Sequence, residues 1–342
     1  MVEKGLGRFI KLFSLGRLGV KKKVKHALNV TIFLLGMFLV TQLLGLAVIN
    51  AYSPRTEIAI NQATGQQEAV NVTPQLPYGM QPPEMKPEVS FLSIIFSIFL
   101  ATAFILLIRR FKIHILLRIW FFSVVVLAIG ITFNAFISKF LQGPTQVLAI
   151  VIALPLAFYK VFKRNIVVHN ITELLVYPGI AAVFVPILNV WTTIALLIVI
   201  AIYDVYAVWH AKFMQKMAKY QIQQLKVFTG FFIPYVANKD RIRIEKIKHT
   251  NLSQNAKIKK LKKLRIKVNL AMLGGGDVSF PLIFAGVLLR AYGIMPALMI
   301  SLISTLALAL LFMLAKKGKF YPAMLFLTPA CIIGWIIGVL IG

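Results

Sequence analysis

From residue 27 onwards the chain is a succession of long apolar runs separated by short polar or basic breaks. A helix needs ~20 residues to cross a bilayer core, and nine runs approach or exceed that length: 27–49, 90–108, 114–137, 145–162, 166–188, 190–210, 268–289, 294–315 and 320–341. The pattern predicts an all-α integral membrane protein with nine transmembrane helices. The first run follows a basic leader, as a signal peptide does, but its core is about a full span long and no small-x-small cleavage site follows it. A retained first helix is the expectation. Two longer polar segments interrupt the series. Residues 50–89 are rich in Pro, Gln and Asn and read as an extended, poorly packed outside connector. Residues 211–267 form a long basic loop. The chain thus divides into a basic N-terminus (1–26), a first bundle of spans one to five (27–188), and a portion holding spans six to nine (189–342).

Charge orients this series. The 342 residues carry 38 Lys and Arg against 10 Asp and Glu, a net charge of +28, and 59% of them are hydrophobic. On a soluble protein that charge would suggest nucleic acid; here the basic residues are segregated by loop, so no nucleic-acid partner is expected. With the N-terminus cytoplasmic, 34 of the 38 fall in 1–26, 109–113 with the start of span three, 160–164, 211–267 and 316–319. Arg55, Lys86, Lys139 and Arg290 are left outside. That is the positive-inside bias, and it puts the C-terminus on the extracytoplasmic side. The basic loop ends in Lys257, Lys259, Lys260, Lys262, Lys263, Arg265 and Lys267, with Ile258, Leu261, Leu264 and Ile266 interleaved. This is the pattern of an amphipathic helix on the anionic inner leaflet. In the same loop, Phe228, Phe231, Phe232, Ile233, Pro234 and Tyr235 are expected at the membrane interface; a cover over an active-site entrance is the other reading. The single cysteine, Cys331, excludes an intramolecular disulfide. The chain carries no organelle signal, which points to a prokaryotic, archaeal-type cell membrane.

Three of the ten acids fall inside spans: Glu173, Asp204 and Asp277. An ionisable residue at membrane depth costs at least ~2.5–3.5 kcal/mol and calls for a function or a partner. Asp204 lies eight residues before Lys212, and Asp277 ten residues after Lys267. At ~1.5 Å of rise per residue, both sit roughly 10–15 Å from the inner edge of the membrane. Antiparallel neighbouring helices would therefore bring the two carboxyls together. Such a pair shares one proton and titrates as a unit. It can hydrolyse a peptide bond without metal or cofactor: the carboxylate takes a proton from water, and the acid protonates first the carbonyl and then the leaving nitrogen. The sequence does not assign these roles. Asp277 follows Leu273-Gly274-Gly275-Gly276, which weakens the helix and admits another backbone. Pro281 cannot donate to the Asp277 carbonyl, so the helix is loosened beyond the acid as well. Irregular backbone in a membrane survives only where protein or a watery cavity covers it, and such a place suits an extended peptide. Glu173 differs, because His169 lies four residues earlier on the same helical face and can satisfy it. Neither an HExxH nor a GxSxG motif occurs, so metalloprotease and serine-hydrolase chemistry are not expected.

These residues resemble the GxGD intramembrane proteases, the family of presenilin, signal peptide peptidase and their archaeal homologues. The family's Tyr-Asp in span six matches Tyr203-Asp204, and its Gly-x-Gly-Asp in span seven matches Gly274-Gly275-Gly276-Asp277. Its Pro-Ala-Leu at the start of span nine corresponds to Pro322-Ala323-Met324, with Met in place of Leu. A literal Pro296-Ala297-Leu298 begins span eight and is set aside as a decoy. The resemblance implies aspartyl proteolysis of transmembrane helical substrates by Asp204 and Asp277, with Tyr203, Gly274, Gly275, Gly276, Pro281, Pro322, Ala323 and Met324 shaping the site. The inside N-terminus is similar to presenilin's orientation and implies substrates whose own N-terminus lies outside. Because a substrate helix shields its peptide bonds, local unwinding must precede hydrolysis, and the unwound stretch is expected to pair as a strand near Gly274–Gly276 or Pro322–Met324. A proton-coupled transporter built on the same carboxyls and a catalytically silent helix-binding relative are the other readings.

Overall fold

The computed structural model describes residues 28–60, 67–80, 86–108, 114–163, 165–209, 229–236, 268–315 and 321–342. The basic N-terminus and the predicted amphipathic helix at 257–267 lie outside them. Helix α1 (Leu28–Ala51) is followed by a hairpin of β1 (Arg55–Ile60) and β2 (Gln67–Val72). Then come α2 (Pro87–Ile108), α3 (His114–Ile137), α4 (Thr145–Phe158, continued by a π turn at Tyr159–Lys163), α5 (Ile166–Phe184) and α6 (Val190–Trp209). Strands β3 (Gly230–Val236) and β4 (Val268–Gly274) precede α7 (Gly275–Tyr292), α8 (Ile294–Leu314) and α9 (Met324–Ile341). The helices dominate because hydrocarbon offers no hydrogen bonds, so each spanning segment must satisfy its own backbone. Among the described residues, seven helices are long and apolar enough to cross a membrane: all but α2 and α7. Glycines, Asp277 and Arg290 make α7 the more polar sequence.

Despite those residues, α7 is the centre of the bundle. Val278, Leu282, Phe284, Ala285 and Leu288 are wholly buried, and α1, α5, α6, α8 and α9 all pack against it. Small residues allow the closest approaches. Gly179 on α5 lies against the Ala128 carbonyl of α3, while Gly334 and Gly338 on α9 lie against the backbone of Ile300 and Pro296 on α8. Pro296 is thus a packing residue of the α8–α9 contact. Large apolar side chains such as Phe96 and Phe99 on α2, Trp120 on α3 and Leu306 on α8 point outward, as a lipid-facing surface requires.

Several expectations change. Span seven does not begin at 268: Val268–Gly274 is a strand, antiparallel to β3, with Gly230 opposite Gly274 and Val236 opposite Val268. The Phe231–Tyr235 part of the cluster is that partner strand, packed on α5, while Phe228 lies outside the described residues; the strand's aromatic and β-branched residues suit a half-buried sheet. The 50–89 connector is in part a hairpin, with Arg55 opposite Val72. It is tied to the bundle by Tyr78, whose hydroxyl donates to the Gln146 carbonyl at 2.9 Å. Lys160, counted as an inside-loop charge, is buried at the end of α4 and paired with Glu173. His169 stands 3.5 Å from Glu173 as expected, and Lys160 is a further partner.

Candidate active site

Asp204 lies near the end of α6 and is 7% exposed. Helix α9 is pinned to α6 by Thr328, whose hydroxyl donates to the Leu197 carbonyl at 3.2 Å. This brings the start of α9 to Asp204. The first amides of any helix lack intrahelical partners, and here the Met324 N–H donates to Asp204 Oδ2 at 3.1 Å, with the Ala323 amide facing the same carboxyl. Pro322, Ala323 and Met324 are all buried. Ala323 and Met324 meet Asp204 through their main-chain amides, so Met in place of Leu leaves that contact intact.

Asp277 arrives by a different device. Strand β4 runs into α7 at Gly274, which has φ −65° and ψ 147°, and Asp277 is the third residue of the helix. A side chain there folds back towards the cap, and the Gly274 amide faces the Asp277 carboxyl. The glycines have distinct jobs. A Cβ on Gly274 would come 3.1 Å from Asp277 Oδ2, and one on Gly275 would come 2.8 Å from the Tyr177 hydroxyl. Gly276 is exposed. Asp277 stands within electrostatic reach of Asp204. The two acids thus sit on helices that pack against one another, Asp204 beside the first turn of α9 and Asp277 within the first turn of α7, each near the positive end of a helix.

Not every predicted residue joins them. Tyr203 is 43% exposed on α6, because adjacent helical residues point about 100° apart. Pro281 is buried inside α7, one turn past Asp277. There Gln42 of α1 donates to the Val278 carbonyl at 3.0 Å, within the stretch that proline loosens. Gln42, Tyr177 and Asn170 were missed by sequence reasoning. Their signal was that of any polar side chain inside an apolar span.

The family model described as signal-peptide peptidase, presenilin aspartyl protease matches residues 71–342. The chain belongs to this family. As a member of the signal-peptide peptidase and presenilin aspartyl proteases it is a multi-pass membrane enzyme of the aspartic endopeptidase class. No curated protein matches it by sequence. Among solved structures, a presenilin family intramembrane aspartate protease in a C222 crystal form is 17% identical, with a TM-score of 0.54 over 91% of this chain and 99% of that one. A structure described in the same words in a P2 form is 17% identical, with a TM-score of 0.53 over 91% and 98%. At that identity the likeness is one of fold. Nothing in these comparisons supports a transporter.

Proposed function

We propose that Asp204 and Asp277 are the catalytic pair of an intramembrane aspartyl protease that hydrolyses peptide bonds within transmembrane helices. The observation that carries this reading is their juxtaposition: one acid on α6, one at the start of α7, within electrostatic reach and each beside a helix N-terminus. The negative charge rests on Asp204, which the α9 amides solvate, and the shared proton rests on Asp277. Asp204 accepts a proton from water as its oxygen adds to the scissile carbonyl carbon, while Asp277 protonates the carbonyl oxygen. As the adduct collapses and the C–N bond breaks, Asp204 passes the proton it took from water to the leaving nitrogen, and Asp277 recovers its proton from a hydroxyl of the adduct. One water is consumed, giving a new carboxyl and a new amine.

The unwound substrate pairs as a strand along β4. In an antiparallel ladder, alternate residues direct their amides to opposite edges. The Phe232 amide and carbonyl are engaged by Asn170 of α5, so the opposite edge of β3 faces β4. The outward groups of β4 are then those of Leu270 and Met272, which lead straight to Asp277. Nine crossings with a cytoplasmic N-terminus accommodate this site at a common depth, with α2 and α7 completing the seven apolar spans, and substrates enter with their N-termini outside.

The test is the purified full-length protein in liposomes with a model transmembrane peptide, comparing wild type with Asp204→Asn and Asp277→Asn. Each single variant abolishes cleavage and leaves the melting temperature unchanged. Cleavage that survives in either variant refutes the assignment, as does a wild-type protein that cuts no transmembrane peptide of either orientation.

A further inference from the structure

One buried polar group is left unused by this mechanism. On α5, His169, Asn170, Glu173 and Tyr177 are 6%, 9%, 1% and 3% exposed. His169, Glu173 and Tyr177, at successive spacings of four, share a single helical face. Lys160, from the π turn that ends α4, closes on Glu173 with both side chains 1% exposed. An ion pair taken out of water returns little net stability, so one held at this depth points to a use beyond stability.

That use lies at β3. Glu173 Oε1 stands 3.5 Å from His169 Nε2, and the same nitrogen is 2.8 Å from the Gly230 carbonyl oxygen. A carbonyl only accepts, so Nε2 carries a hydrogen there. The next residue, Asn170, donates from Nδ2 to the Phe232 carbonyl at 2.9 Å and accepts the Phe232 N–H on Oδ1 at 3.2 Å. The His169 ring lies 4.5 Å from that of Phe232 at 35°. Asn170 thus serves the outer edge of β3 as a neighbouring strand would, and His169 holds its first residue. Register carries the constraint onward, with Gly230 opposite Gly274 and Phe232 opposite Met272. At the other end of the face, the Tyr177 hydroxyl lies beneath Gly275.

We infer that His169 and Asn170 are positioning residues for proteolysis, holding β3, and through it β4 and the Gly274–Asp277 turn, in the register that presents Asp277 to Asp204. The Lys160–Glu173 pair anchors His169 in this clamp. The inference rests on Asp204 and Asp277 being the catalytic pair. The experiment uses the full-length protein in liposomes with the model transmembrane peptide. It compares Asn170→Leu, similar in volume but without hydrogen bonds, with wild type, and His169→Leu with His169→Gln, whose amide can still donate. Three readouts are taken: kcat and KM for the peptide, melting temperature, and amide hydrogen exchange across 230–236 and 268–274. Asn170→Leu lowers kcat at least about tenfold with KM changed by no more than about twofold, both strands exchange faster, and the melting temperature barely moves. His169→Gln keeps more activity than His169→Leu. Unchanged exchange in the strands overturns the clamp, and so does a kcat loss matched by loss of folded protein. Faster exchange in a protein whose wild type cleaves nothing would leave the clamp standing and sink the catalytic reading instead.

Discussion

Gly275→Ala tests the packing beneath the turn. The new Cβ would lie 2.8 Å from the Tyr177 hydroxyl oxygen and 3.2 Å from its Cε1, whereas comfortable carbon contacts begin at about 3.5 Å. Tyr177 has little room to retreat: it is 3% exposed, and its ring meets that of Phe231 edge-on at 5.7 Å. Forcing a methyl into such a site costs about 1–3 kcal/mol. Alanine recovers less than ~1 kcal/mol of helix propensity at this first helical position. The net is a loss of about 1–2 kcal/mol. If the turn moves to relieve the contact, Asp277 moves with it, and each 1.4 kcal/mol on the barrier is about tenfold in rate. Thermal unfolding in detergent and initial rates on a transmembrane peptide measure the two effects. Tyr177→Phe removes the nearest atom and leaves contacts of 3.2 and 3.3 Å, so the double variant regains much of both losses. Gly276→Ala is the control, since its Cβ would meet nothing nearer than Phe280 at 3.4 Å and stability holds; any activity it loses reports on substrate approaching that exposed residue. A Gly275→Ala protein equal to wild type in both readouts, or a defect that Tyr177→Phe leaves untouched, would refute the reasoning.

Further outcomes follow from other contacts. Lys160→Met strands a buried Glu173 carboxylate and lowers stability by about 3–5 kcal/mol, while Lys160→Met with Glu173→Gln recovers most of it; denaturant midpoints measure both. Met324→Leu keeps proteolysis within about twofold of wild type, because its amide and not its side chain meets Asp204. In the segment between α1 and α2, burial pushes the phenols of Tyr52 and Tyr78 up to about 12, with Tyr52 donating to the Ile131 carbonyl at 2.9 Å. Unfolded tyrosines ionise near ~10, so the stability contribution is complete below that pH and is lost as pH rises towards about 12; unfolding followed across that window shows the decline, and Tyr52→Phe makes it shallower.

The helices were legible wherever lipid decides the pattern. Span three was expected at 114–137 and α3 is His114–Ile137. Legibility failed where protein rather than lipid surrounds the backbone. The run Val268-Asn269-Leu270-Ala271-Met272-Leu273 is apolar enough for either a helix or a buried strand, and periodicity does not separate the two over so short a run. What decides it is β3, more than thirty residues upstream, a pairing that no local window contains. The positions of Asp204 and Asp277 were readable because a membrane acid is rare and costly. The clamp on α5 was not: Asn170 looks like an ordinary polar residue near a helix start, and its meaning comes from the strand it touches. Tyr203, named through the family's Tyr-Asp motif, lies one helical step from Asp204 and is 43% exposed on α6.

The way the structure holds its acids also explains why the asparagine variants are clean tests. A carboxyl at membrane depth is stable only if something replaces water, and here the replacement is the free N–H groups in the first turn of two helices, α9 at Asp204 and α7 at Asp277. Asparagine keeps an oxygen that accepts the Met324 N–H now received by Asp204 at 3.1 Å, so the contact between α6 and α9 survives. What asparagine removes is the ability to take or give a proton. A loss of cleavage without a loss of fold is therefore expected from the geometry itself. If Asp204→Asn instead unfolds the protein, the carboxylate is holding α9 in place by charge, and the site is more tightly coupled to stability than the single hydrogen bond implies.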